Sequence, residues 1–151
     1  MTEAGTPPVS AIPRGEYAYP GRLRDALVAA ILGGAKTSTT CLLAEFDEGE
    51  EPRDAVGSLE AVVDSDGNVV CVTRTTDVRV VRLGDVTVDH AVAEGEGHAT
   101  VAQWRAAHEE FWRSEEFVAD MGEVRLDDDT MVVCQRFVVD RRYPVGKVSH
   151  T

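Results

Sequence analysis

Positive charge is scarce in this chain of 151 residues: 15 Lys and Arg stand against 27 Asp and Glu, for a formal net charge of −12. Tight, sequence-blind binding to a long phosphate backbone is driven by basic side chains displacing counterions, so this balance opposes it, and no long duplex DNA is expected as a partner. It leaves open a small nucleoside or nucleotide, or single-stranded RNA, recognised in a local pocket. Cysteine is equally sparse. Cys41, Cys71 and Cys134 are far apart and form no Cys-x-x-Cys pair, and His90, His98, His108 and His150 complete no zinc pattern. Three reduced thiols in a cytoplasmic interior, and no structural metal, are therefore expected. No apolar run approaches a membrane span, and Met1–Ser10 lacks the basic and apolar regions of a signal peptide, so a soluble, non-exported protein without a membrane partner is expected. A phosphate-binding Gly-x-x-x-x-Gly-Lys-Ser/Thr loop is absent, and so are internal repeats.

What is present is a hydrophobic fraction of 43%, enough for one packed domain without staples. Pro7, Pro8 and Pro13 mark residues 1–15 as a flexible N-terminal arm, residues 16–140 read as the domain, and residues 141–151 read as a C-terminal tail. Arg22 to Leu32 carries Leu23, Ala26, Leu27, Ala30 and Ile31 at helical spacing and stops at Gly33-Gly34. Strands are predicted over Thr37 to Leu43, Val56 to Val63, Val69 to Val81 and Met131 to Val139. The Asp66-Gly67 pair joins the second and third as a hairpin. A short helix is predicted over Asp89 to Ala93. A long one is predicted over Thr100 to Phe117, opened by a Thr100–Gln103 capping pattern. Helix, strand, hairpin, helices, strand is not an alternating βαβ series, and it predicts an α+β domain with a mostly antiparallel sheet or barrel.

Lys36 follows a glycine pair and precedes Thr39 by three residues. In an extended strand Thr37 and Thr39 share one face, over which Lys36 can fold. A lysine whose pKa is lowered can serve as the base for a nucleophilic hydroxyl. By spacing alone, a surface lysine beside strand threonines is the commoner arrangement. Glu94 and Glu96 in a glycine-rich turn admit a hard cation as well as a solvated loop. Arg74 suits either a phosphate or base edge, or an ion pair with a neighbouring acid. Trp104, Phe111, His108 and Trp112 suit either base stacking or core packing.

The stretch Gly34-Ala35-Lys36-Thr37-Ser38-Thr39 resembles the Gly-x-Lys-x-x-Thr signature of ASCH domains. Four more matches follow in order: Cys71–Thr76, His90–Gly97, Trp104–His108 and Val132–Phe137. Together they are similar to the longer bacterial ASCH subgroup over nearly the whole chain. The resemblance implies a PUA-like fold, a small mostly antiparallel β-barrel with packed helices, acting on RNA or modified nucleosides. It also implies a hydrolase that removes an acyl group from a nucleoside base. Thr39 would be the nucleophile, Lys36 its base, and Glu94 would orient the lysine or donate to the leaving amine, with backbone amides near the glycine turn holding the oxyanion. Arg74, Thr37, Glu96, Trp104 and His108 would contact the substrate, without a cofactor. The alternatives are a ribonuclease using a divalent cation such as manganese, and a non-catalytic module binding RNA or a modified nucleotide.

Overall fold

A computed structural model describes residues 6–146. Five strands, β1 (Arg14–Gly15), β2 (Ser38–Leu42), β3 (Leu59–Val63), β4 (Val69–Arg82) and β5 (Met131–Val139), form one sheet in the order β1-β3-β4-β5-β2. Only β1 and β3 pair in parallel. The four α-helices are α1 (Arg22–Leu32), α2 (Val88–Ala93), α3 (Val101–Trp112) and α4 (Glu115–Met121). This is the α+β arrangement expected, with one correction. Among the described residues the sheet does not close into a barrel, because two-residue β1 and β2 are its edges. Among the described residues no helix is long and apolar enough to cross a membrane.

Local chemistry explains the elements. The β3–β4 turn is held by the Asp64 carboxylate, which accepts from the Asp66 and Asn68 amides at 3.0 and 2.9 Å, while Gly67 takes a φ of 84°. The register shift between Thr75 and Asp77 bends the long β4 strand. α1 buries Val28 and Ile31 against Val62, Cys71 and Phe137 on one sheet face. On the other side, Leu42, Val132 and Cys134 pack with Ala91, Trp104 and Trp112 of α2 and α3.

Two expectations change. The long helix over Thr100 to Phe117 is divided at Ser114, whose hydroxyl accepts from the Phe117 amide at 3.3 Å and caps α4. A strong N-cap with Glu115 and Glu116 behind it outweighs the continuous apolar stripe. Residues 9–15, expected in a flexible arm, are part of the fold. Ile12 is buried with Ala61, Val72 and Tyr143, and Arg14–Gly15 pairs with Ala61–Val62. The Tyr143 hydroxyl in turn donates to the Pro7 carbonyl at 2.7 Å. The rest of the expected arm and tail, residues 1–5 and 147–151, lies outside the described residues.

Candidate active site

The glycine stop after α1 turns the chain so that Lys36 lies at the corner leading into β2, where the Lys36 amide donates to the Ala30 carbonyl at 3.0 Å. Residues 37 and 38 stitch the corner to α2: the Thr37 amide donates to Ala93 O at 2.8 Å, and the Ser38 hydroxyl donates to His90 O at 3.2 Å. Gly95 makes the approach possible. Its φ is +70°, and a Cβ there would sit 2.4 Å from Ala35 O and 2.6 Å from Lys36 N. The flanking Glu94 and Glu96 are thereby held on either side of Lys36. Gly95→Ala is expected to cost about 2–4 kcal/mol, since both the backbone and the contact resist it. Urea denaturation measures this, and an unchanged midpoint would contradict the packing described.

The Lys36 side chain is 2% exposed. Its Nζ donates to Ser38 O at 2.8 Å and lies 4.0 Å from Glu94 Oε1, 3.9 Å from Glu96 Oε2 and 5.9 Å from the centre of the Tyr17 ring. Burial lowers its pKa, and the two carboxylates pull only part of the way back. Both Glu94 oxygens are taken. Oε1 lies 3.0 Å from His108 Nε2, while Oε2 lies 3.3 Å from His90 Nε2 and accepts from the Thr40 hydroxyl. The other ring nitrogen of His108 is 3.0 Å from Trp104 O. With an acceptor at each nitrogen, His108 is an imidazolium donating at both, stacked on the Trp104 ring at 4.3 Å.

Burial alone would raise the Glu94 carboxyl and lower the His108 ring. The bonds from His108 and His90, with the nearby charges, hold Glu94 well below the usual carboxylate range, and Glu94 raises His108. The signs give a window. The stability from His108 is fully present below its unfolded pKa of about 6.5 and is lost as pH rises through the raised folded value. The stability from Glu94 is present above about pH 4.3 and is lost only as pH falls through its lowered value. The stability difference between wild type and His108→Gln, read by urea midpoints from pH 5 to 9, is therefore expected to shrink at the alkaline end. A constant difference would contradict the imidazolium assignment.

The structure sorts the residues expected at the site. A cleft of about 1140 Å³ is lined by Lys36, Thr39, Glu94, Glu96 and His108, so five of the eight share one space. The other three are not among the residues that line it. Arg74, 45% exposed on its side chain, is paired with Asp140 at 3.8 Å. Thr37 is exposed, and its hydroxyl bonds to Ala93 O at 3.4 Å. Trp104 is fully buried, so its ring supports His108 instead of stacking on a ligand. The glycine-turn amides are also not oxyanion donors as they stand, because those of Gly34, Lys36 and Thr37 are bonded to Ile31, Ala30 and Ala93. The three cysteines are free thiols. Burial pushes Cys71 and Cys134 up to about 11 and Cys41 higher, which fits an unreactive structural role.

Thr40 and His90 were not expected. Thr40 Oγ1 lies 2.6 Å from His90 Nε2, so both contact Glu94 and each other. A signal existed: His90 and Glu94 stand four apart on α2, the spacing that brings helix side chains together.

The fold is shared with other chains of known structure. The crystal structure of an ASCH domain from Lactobacillus crispatus JV V101 superposes with a TM-score of 0.72 at 25% identity, covering 85% of this chain and 79% of that one. A protein from Enterococcus faecalis V583 shares the fold with a TM-score of 0.68 at 22% identity, covering 93% and 86%. No curated protein matches the sequence. The family description "ASCH domain" matches residues 16–140, from the segment ahead of α1 to the end of β5, and the chain therefore belongs to the ASCH domain family.

Proposed function

We propose that the cleft hydrolyses an acyl group from the amine of a small nucleoside's base. The observation that carries this reading is the buried amine of Lys36, with a lowered pKa, in the same cleft as the Thr39 hydroxyl. Thr39 Oγ attacks the acyl carbonyl carbon and its proton passes to Lys36. The C–N bond then breaks, the amine leaves with a proton, and water hydrolyses the acyl–Thr39 ester. Two carboxylates near Lys36 favour the ammonium form. His108, His90 and Thr40 draw on the charge of Glu94, which loosens its hold on that proton. Glu94, held ionised, anchors this array and is poorly suited to donate. Glu96 is the better acid: burial first, and then its neighbour Glu94, raise its carboxyl pKa. The net charge of −12 suits an uncharged substrate better than a polyanion.

A second reading follows from Glu94, Glu96 and His108, whose ligand atoms all lie within 4.8 Å of one another, as a divalent-cation site of a ribonuclease would require. The residues as arranged do not fit it. Lys36 Nζ already lies 4.0 and 3.9 Å from the two carboxylates, and His108 Nε2 donates to Glu94 instead of offering a lone pair. The test is a screen of N-acylated nucleosides and labelled single-stranded RNA, with and without manganese. Metal-independent release of the acyl group is expected. Manganese-dependent RNA cleavage with no release would replace this reading with the second.

A further inference from the structure

Glu60 of β3 lines the same cleft as Lys36 and Thr39. The register sets Glu60 opposite Thr73, Thr75 opposite Phe137 and Thr39 opposite Gln135. Side chains at paired positions point to the same side, so Glu60 and Thr39 share the sheet face that α1 and Tyr17 cover. The Glu60 carboxyl lies over Gly15 of β1. A Cβ at Gly15 would stand 2.2 Å from Oε1 and 2.3 Å from Cδ. Gly15 does not have a positive φ, so its backbone does not call for glycine. The missing methyl is what leaves room for the carboxyl.

Glu60 differs from the acids of the cleft that have a basic partner. Glu94 has two histidines, and Glu16 has Arg24 at 3.3 Å. The partner of Glu60 is the Tyr17 hydroxyl, which donates to Oε1 at 3.4 Å, and among the described residues no cation is paired with it. Burial pushes its carboxyl pKa up, and Tyr17 offsets only part of this. A half-buried carboxyl with unused acceptor capacity gains from a ligand that brings an N–H donor. Tyr17 also ties this group to the chemistry, because its ring lies 5.9 Å from Lys36 Nζ while its hydroxyl reaches Glu60.

We infer that Glu60, seated over Gly15 and braced by Tyr17, is the recognition end of the cleft and accepts a hydrogen bond from the exocyclic amino group of the ligand's base. An oxo group in that place sets lone pair against lone pair. The cleft therefore takes amino-bearing bases, of the cytosine or adenine kind, over their oxo counterparts. An acylated base amine keeps one N–H, so the same contact serves substrate and product. The inference rests on the nucleoside reading of the cleft, and binding tests it without hydrolysis.

The experiment is calorimetric titration of the full chain with cytidine against uridine, and adenosine against inosine, each pair exchanging amino for oxo. At least one amino nucleoside is expected to bind about 10-fold or more tighter than its oxo partner. In Glu60→Gln, whose amide can present either polarity, that ratio is expected to fall within about threefold. Gly15→Ala, which keeps the charge but displaces the carboxyl, is expected to do the same. Equal affinities in both wild-type pairs, or no binding of any of the four, overturns the inference whether or not the variants fold. So does a ratio unchanged in Glu60→Gln. An amino preference in a protein that hydrolyses no acylated nucleoside would remove the proposed reaction alone, and turnover without the preference would remove the role of Glu60 alone.

Discussion

Glu94→Ala is expected to cost about 3–5 kcal/mol, a large part of the roughly 5–15 kcal/mol that holds a domain of this size together. The carboxylate is 1% exposed and faces Lys36, His90, His108 and Thr40 at once. Its removal leaves Lys36 with Glu96 and the carbonyls of residues 38 and 94 as polar partners, and leaves the His108 imidazolium buried without the anion it donates to. His108 can relieve part of this by losing its proton, so its pKa is expected to drop from a raised value to below the ordinary histidine range of about 6.5. Urea denaturation reads the first effect, and the pH dependence of the His108 ring protons in NMR spectra reads the second. A midpoint within about 1 kcal/mol of wild type, or a His108 pKa that stays raised, would mean that Glu94 is not the hub of the array.

The second large effect separates two neighbouring threonines. Both line the cleft, but Thr40 donates a hydrogen bond to Glu94 and lies against His90, whereas Thr39 has neither contact. Thr39→Ala should reduce kcat on an acylated nucleoside by at least about 10²–10⁴-fold at little cost in stability. Thr40→Val removes a hydrogen bond to a charged group, so it should lower stability by roughly 1.5–3 kcal/mol and kcat by far less. Steady-state kinetics beside denaturation curves decide the matter. If Thr40→Val is the more damaging to kcat, the nucleophile is misassigned.

How much of this was legible in the sequence depended on range. α1, the β3–β4 hairpin and β5 announce themselves through local periodicity and turn residues, and the structure places them within a residue of expectation except that β3 begins at Leu59 instead of Val56. The break at Ser114 was also local. Ser114-Glu115-Glu116 is a helix start, masked by the apolar stripe running through it. Barrel closure could not be read, because it depends on which strands pair at the edges, and β1 lay in a segment whose prolines suggested an arm.

At the site, Lys36 and Glu94 stood out through the ASCH signature rather than through spacing. The partners of Glu94 did not. Lys36 was read as able to fold over the face shared by Thr37 and Thr39; its amine turns to the Ser38 carbonyl and the two glutamates within the cleft that Thr39 also lines. That turn is set by Gly95 pressing on Ala35 and Lys36, a contact between segments about 60 residues apart that no local pattern encodes. Trp104 carried the right spacing for either core or stacking, and burial decided for core.

The central claim is that Lys36 and Thr39 act as one catalytic unit, and a double-mutant comparison tests it most directly. kcat is measured on an N-acylated nucleoside for wild type, Lys36→Ala, Thr39→Ala and the pair, with nucleoside binding measured on each to separate lost chemistry from a lost site. Each single change is expected to remove most of the turnover while binding persists, and the double variant is expected to be barely worse than either, since a nucleophile without its base and a base without its nucleophile are equally idle. Lys36→Arg should fail as well, because guanidinium does not give up its proton. Turnover by Lys36→Ala equal to that of wild type would contradict the claim and leave Lys36 as a structural counter-ion to Glu94 and Glu96.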